Sequence, residues 1–110
     1  MRPFDYLEPK SLSEVVSALA QHGRQAALLA GGTDLLNALK AGAIRPGVVV
    51  NLKRIPGLAG IAAEDRELRL GALTTIRAVE TAPLVRERFP ALHEAAACLG
   101  SVQIRHLATV

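Results

Sequence analysis

Apolar residues recur along the first part of the chain with two alternating periods. Leu12, Val15, Val16 and Leu19 fall at i, i+3, i+4 and i+7, which predicts a helix over residues 12–21 with one apolar face. Ser11 stands three residues before Glu14, the spacing of a capping box in which each side chain satisfies a backbone N–H left free at the helix start. Gly23 is expected to end that helix. Before it, residues 4–7 read as a short strand closed off by Pro9. After it, Ala26-Ala27-Leu28-Leu29 is too short for a typical helix and suits a buried strand. Leu35, Leu36 and Leu39 return to helical spacing until Gly42, and Val48-Val49-Val50 forms a β-branched run after Pro46-Gly47. Residues 1–55 therefore predict strand, helix, strand, helix, strand.

The pattern changes at Pro56-Gly57. Gly60–Ala63 and Leu68–Leu70 flank the polar stretch Glu64-Asp65-Arg66-Glu67, which predicts a hairpin with a short charged loop. Thr74 or Thr75 is placed to cap a short helix running to about Glu80, and a further helical turn or two is expected over residues 84–88, after Pro83. Pro90 suits the first position of another helix, whose apolar face is predicted at Leu92, Ala95, Ala96 and Leu99, with Gly100 as its stop. Residues 101–110 read as irregular or extended. No internal repeat or low-complexity tract is present.

Composition narrows the picture. At 110 residues the chain is one domain at most. Half of it is apolar but the aromatics are only Phe4, Tyr6 and Phe89, so Ala, Leu, Val and Ile must build the interior, as in helices on a small sheet. The net charge of +3 comes from basic residues spread singly among acidic ones, without the basic stripe or stacking aromatics that nucleic acid requires. Cys98, alone, excludes an internal disulfide and cannot supply the four thiolates of an iron-sulfur cluster. The start lacks the apolar core of a signal peptide, and no run approaches the 18 apolar residues of a membrane span. A soluble, cytoplasmic chain is expected.

One segment carries chemistry. A strand that ends in Ala30-Gly31-Gly32-Thr33-Asp34 and passes into a helix leaves several backbone N–H groups unpaired and pointing into the same space, which attracts anions. Each hydrogen bond to a charged group contributes about 1.5 to 3 kcal/mol, against about 0.3 to 1 kcal/mol from the helix dipole, so the hydrogen bonds dominate. A Cβ at Gly31 or Gly32 could fill the place of a phosphate oxygen, and either residue could require positive φ. Thr33 is expected to donate its hydroxyl or cap the helix, and Asp34 to sit in the first turn with its charge directed away from a bound anion. The segment is neither GxxxxGK[ST] nor GxGxxG, so on these residues alone a purely structural strand-to-helix connection remains equally open.

The remaining candidates read as structural. Cys98 is expected to be a small buried hydrophobe. His22 lies at a helix C-terminus near terminal carbonyls, and His93 lies in a helical first turn without a second ligand at metal spacing. Arg105 and His106 are as suited to bracing their loop as to touching a ligand. Glu64, Asp65 and Glu67 look like a solvated hairpin tip, not a catalytic pair, and no Ser-His-Asp arrangement is present.

The order of several motifs resembles a known family. Phe4-Asp5-Tyr6, Pro9-x-Ser11-Leu12-x-Glu14, Leu28–Leu36, Val50-Asn51-Leu52 with Ile55-Pro56-Gly57-Leu58, Leu70–Thr75 and Gln103–Val110 follow one another as in the FAD-binding (medium) subunit of the xanthine dehydrogenase and carbon monoxide dehydrogenase family of molybdenum hydroxylases. The resemblance covers essentially the whole chain. It implies a mixed α+β, PCMH-type FAD-binding fold of two subdomains, residues 1–55 and an incomplete 56–110. It also implies a cofactor site at Leu28, Leu29, Ala30, Gly31, Gly32, Thr33, Asp34 and Leu35, where the first glycine motif meets the FAD diphosphate. The family's second phosphate segment reads Ala-Thr-[Ile/Val]-Gly-Gly-Asn. Here Ala108-Thr109-Val110 stands without the Gly-Gly-Asn, so a chain truncated at residue 110, and inactive alone, is expected. By the same resemblance, electrons pass from a molybdenum-cofactor subunit through the [2Fe-2S] clusters of an iron-sulfur subunit to this FAD, and on to NAD+, a quinone or oxygen. The alternatives are a non-catalytic scaffold or interaction fragment, and a PCMH-type flavoprotein oxidase acting without molybdenum.

Overall fold

Val48, Val49 and Val50 are 1%, 2% and 0% exposed, and this burial on both faces is what a strand flanked by parallel neighbours requires. They belong to the central strand of a three-stranded sheet in a computed structural model that describes all 110 residues. The chain divides into two units, Met1–Pro56 and Gly57–Val110.

In the first unit, β1 (Asp5–Leu7), α1 (Leu12–His22), β2 (Ala26–Leu29), α2 (Leu35–Lys40) and β3 (Val48–Asn51) follow in order, with a 3-10 turn at Gly23–Gln25. The sheet order is β1-β3-β2, all parallel, with Tyr6 and Ala27 both level with Val49. β2 is therefore an edge strand, only half-buried and with Leu28 44% exposed; the buried strand expected at Ala26–Leu29 is instead β3. The apolar face of α1 also differs from the expected one. Leu12 and Val16 are 55% and 64% exposed, while Val15 and Ala18 are buried and Leu19 and His22 half-buried, a stripe that retains the 3.6 period but is rotated about the axis. Periodicity alone does not select between two overlapping apolar stripes; the sheet does. The capping box is also offset by one residue. Ser11 Oγ accepts from Glu14 N at 3.3 Å, but the Glu14 carboxylate accepts from Lys10 N at 2.7 Å, not from Ser11 N. Gly23, at φ +52, ends the helix.

The second unit opens with an antiparallel hairpin, β4 (Ile61–Glu64) and β5 (Glu67–Leu70). Glu64 pairs with Glu67, so the expected four-residue loop is a two-residue turn, with Asp65 in the left-handed region at φ 51. Four short helices follow: α3 (Ile76–Thr81), α4 (Pro83–Arg88), α5 (Pro90–Cys98) and α6 (Val102–Leu107). Thr75 caps α3, accepting from Ala78 N at 3.1 Å, and both prolines occupy first-turn positions where no N–H is missed. Ile76, Val79, Val85, Ala96 and Ala108 form the core, with Leu68, Leu70 and Phe89 packed against it.

Three further expectations for this unit are corrected. Of residues 101–110, expected to be irregular or extended, 102–107 form α6, where Ser101 Oγ accepts from Ile104 N at 3.2 Å, and only 108–110 are extended. In α5, Ala95 is exposed and Leu99 is 41% exposed, so the buried side runs through Leu92 and Ala96. Cys98, two residues from Ala96 and so nearly across the helix from it, is exposed and not a buried hydrophobe. No helix in the chain is long and apolar enough to cross a membrane.

Candidate functional site

Because β1, β3 and β2 are parallel, their carboxyl ends lie along one edge of the first unit's sheet, the edge at which open α/β sheets bind ligands. The segment Ala30–Asp34 leaves β2 at that edge and leads into α2. Leu52 N donates to Leu29 O at 2.9 Å, so the last residue of β2 is tied to the first residue after β3.

Within the turn, carbonyls and amides are treated differently. The carbonyls of Gly32 and Asp34 accept from Leu36 N and Ala38 N, each at 3.0 Å, and that of Thr33 accepts from Asn37 Nδ2 at 2.8 Å. The amides of Gly31, Gly32, Thr33 and Asp34 meet no protein acceptor. Gly31, Gly32 and Thr33 are half-buried, and Asp34 is exposed. The site is thus a row of donors on a partly open rim, the arrangement that satisfies the oxygens of a phosphate group.

Gly32 has φ +83, a conformation L side chains rarely adopt; Gly31 is not at positive φ. A Cβ on Gly32 would lie 2.9 Å from Leu29 Cδ1 and 3.5 Å from Leu36 Cδ1. Its missing side chain therefore leaves room for the protein's own leucines, whereas the sequence pointed to room for a phosphate oxygen. Thr33 does not cap α2, which has no side-chain cap. The α2 helix has six residues, so its dipole adds little beside the four amides. Of the other expected cofactor-site residues in this unit, Leu28 is largely exposed, Leu29 and Ala30 are half-buried, and Leu35 is the half-buried first residue of α2.

The same edge holds a polar network that sequence reasoning missed. Asn51, 7% exposed, donates Nδ2 to Tyr6 Oη at 2.7 Å and accepts at Oδ1 from Lys53 N at 3.0 Å. Tyr6 Oη donates to Glu8 Oε1 at 2.8 Å, and Arg54 lies 3.6 Å from the same carboxylate. The Glu8 carboxylate raises the Tyr6 hydroxyl above its ordinary pKa, chiefly by accepting its proton in that hydrogen bond. A polar residue closing a run of three buried valines was the available signal, because a buried amide requires partners.

Ala108, Thr109 and Val110 belong to the second unit. Ala108 O accepts from Ile76 N at 2.8 Å, Val110 N donates to Thr74 O at 3.0 Å, and Thr109 forms an isolated antiparallel bridge with Thr75. Thr74 is itself 2% exposed, with Oγ1 bonded to both the N–H and the C=O of Gly60 at 3.0 Å. Arg105 is buried and braces α6, while His106 is exposed, its Nδ1 donating to Val102 O at 2.8 Å. His93 is half-buried, with Nδ1 enclosed and unpartnered.

A parallel βαβαβ unit with a glycine turn at its carboxyl edge, followed by a hairpin and a helical cluster, makes a chain of mixed α and β class whose bare turn amides offer an anion site. Residues 2–110 match the family model described as the FAD binding domain in molybdopterin dehydrogenase, and the chain belongs to that family. It is 38% identical over 107 residues to the carbon monoxide dehydrogenase medium chain of Hydrogenophaga pseudoflava, covering 97% of this chain and 37% of that one. It is 36% identical over 111 residues to the nicotinate dehydrogenase FAD-subunit of Eubacterium barkeri, covering 100% and 38%. The solved structure of the Hydrogenophaga pseudoflava carbon monoxide dehydrogenase that lacks the Mo-pyranopterin moiety superposes with a TM-score of 0.92 at 39% identity, over 99% of this chain and 39% of that one. The chain thus spans less than two fifths of the length of these relatives.

Proposed function

We propose that the chain holds the diphosphate of FAD and serves as the flavin-bearing part of a molybdenum hydroxylase. The observation that carries the reading is the row of four unpaired amides, Gly31 to Asp34, presented at the carboxyl edge of a parallel sheet. Donors bonded to a charged oxygen contribute about 1.5 to 3 kcal/mol each, so even two of them hold the anion firmly. Gly32 keeps these amides on the rim through its positive φ, and Leu29 and Leu36 close the space beneath it. Leu28 and Leu35 flank this contact.

Bound FAD supplies the redox chemistry, taking electrons from a donor and passing them to an acceptor. The chain's own residues bind and orient it. Relatives named as medium chains or FAD-subunits point to an assembly. In it, a molybdenum-cofactor subunit would oxidise the substrate and an iron-sulfur subunit would deliver electrons through [2Fe-2S] clusters. The reading is supported by the family and by the names of these relatives.

The test is a fluorescence titration with FAD. Gly32→Val, at a position where a β-branched residue cannot adopt φ +83 without strain, should abolish stoichiometric binding while the β3 amides stay protected from hydrogen exchange. Retained tight binding by a folded variant would remove the glycine turn from the flavin site.

A further inference from the structure

We infer that the amino edge of the first unit's sheet, where Arg2, Arg24 and Arg45 surround the exposed side chain of Ile44, docks an acidic segment of another protein. The surface lies at the end of the sheet opposite the glycine turn, and the inference does not depend on the flavin reading.

Three separated arginines become one surface through the topology. Arg2 stands three residues before β1, Arg24 two before β2 and Arg45 three before β3. The strands are parallel, so these segments arrive at the same edge, and the order β1-β3-β2 puts Arg45 in the middle. Neighbouring strands lie about 4.8 Å apart, so the three arginines are strung along an edge of roughly 10 Å. Two adjoining cavities follow from the arrangement. Arg2 and Arg45 line one of about 130 Å³ with Leu39 and Ile44, and Arg24 and Arg45 line another of about 310 Å³ with Ile44 and Pro46.

No counter-charge answers this cluster within the chain. Neither cavity is lined by a carboxylate, and neither the three arginines nor Asp5, at the start of β1, form an ion pair. Arg54, the remaining arginine of the unit, does meet a carboxylate, that of Glu8. Like charges at such spacing repel, and a partner's carboxylates remove that repulsion on binding. The backbone is set beforehand. Ala43 N donates to Ala38 O at 3.0 Å, Gly47 N to Gln25 O at 2.9 Å and Asp5 N to Gly47 O at 2.9 Å, so the loop carrying Arg45 is tied to α2, to the turn before β2 and to β1. Arg24 belongs to that turn, the 3-10 segment Gly23–Gln25. Ile44, 40% exposed, gives the patch an apolar floor among the charges, so carboxylates on both sides of an apolar side chain fit it. A protein segment offers that alternation. A lone phosphate has no apolar group, and single-stranded nucleic acid calls for stacking aromatics, which neither cavity has.

The experiment is an NMR titration of the isotope-labelled full chain with the peptide Glu-Glu-Leu-Glu-Glu, its Gln-Gln-Leu-Gln-Gln counterpart, inorganic phosphate and a thymidine oligonucleotide. Shifts from the acidic peptide should centre on the amides of Arg24 and residues 43–45 and be absent with the glutamine peptide. They should weaken at about 1 M salt, where the screening length is about 3 Å against about 10 Å at about 0.1 M. Arg45→Ala should lower the affinity on the order of tenfold, the loss typical of a central interface arginine. Arg66→Ala removes the same charge from the hairpin turn and should change it by less than about twofold. If Arg45→Ala does not fold, as read from the β3 amides, Arg24→Ala should show a loss in the same direction. Equal losses in Arg45→Ala and Arg66→Ala would reduce the effect to net charge and overturn the inference, as would the absence of shifts at residues 43–45. Matching shifts from phosphate alone would make this a small-anion site, and tighter binding of the oligonucleotide would make nucleic acid the partner. Peptide shifts centred on the amides of Gly31 to Asp34 would move the contact to the glycine turn. Each of these three results also overturns it.

Discussion

Replacing Gly32 with alanine separates two costs that the structure allows to be estimated independently. The first is backbone strain: an L residue in the left-handed region costs about 1 to 2 kcal/mol, offset by about 0.4 to 1 kcal/mol because alanine restricts the unfolded chain. The second is contact. The new Cβ would sit 2.9 Å from Leu29 Cδ1, closer than carbon atoms pack, so the leucine must rotate away at a cost of about 1 kcal/mol, the low end of overpacking. Gly42 supplies the control within the same unit. It also has positive φ, at +71, but its nearest neighbour to an added Cβ is Arg45 Nη2 at 3.8 Å, so Gly42→Ala carries the strain without the collision. Gly42→Ala should therefore lose about 1 kcal/mol and Gly32→Ala about 2 kcal/mol. Urea denaturation, with native-state exchange at the Val48–Val50 amides to report the first unit alone, reads the difference. Equal losses would show that Leu29 does not close the space under the turn, and a neutral Gly32→Ala would remove the strain argument as well.

Two further outcomes follow from the geometry. Val15→Ala, at 5% exposure, should cost about 2 kcal/mol, whereas Val16→Ala, at 64%, should stay within about 0.5 kcal/mol; denaturant midpoints that reversed this order would restore the helix face expected from periodicity. Glu80 is held below the ordinary carboxylate range, first by the hydrogen bond from Arg77 and then by Arg105. A depressed folded pKa contributes stability above the unfolded value of about 4.3, and that stability is lost as pH falls from there through the folded value. The urea midpoint of the second unit should thus drop on acidification below that point, and Glu80→Gln should flatten that part of the profile; an unchanged profile would show that the ion pair is not formed in solution.

Local chemistry was legible along the chain wherever one short-range force decides. The β-branched run at Val48–Val50, the glycine stop at Gly23, Pro90 at its helix start and the threonine cap at Thr75 each act through neighbouring backbone, and each stands as the residue types require. The glycine turn after β2 was legible for the same reason. What the pattern misassigned were quantities set by distant partners. Val16 is as apolar as Val15, and only the sheet beneath α1 decides which is buried. Ala26–Leu29 is as apolar as a central strand, yet β3 enters between it and β1 and leaves it at the edge. The α6 helix was missed because six residues carry too little periodicity to be seen, while its stability comes from Ser101 and from Arg105 reaching Glu80, 25 residues away.

The amino-acid sequence by itself determined the elements before α6, their order, and the place where backbone donors are left bare. Tertiary structure alone decided that β3 is central, that Gly32 is required by Leu29 and by its own φ, and that Asn51 and Arg105 are buried polar anchors. The division has a physical cause: hydrogen bonding and backbone strain are settled within a few residues, whereas burial and the partners of a buried polar group depend on segments that meet only when the chain has folded.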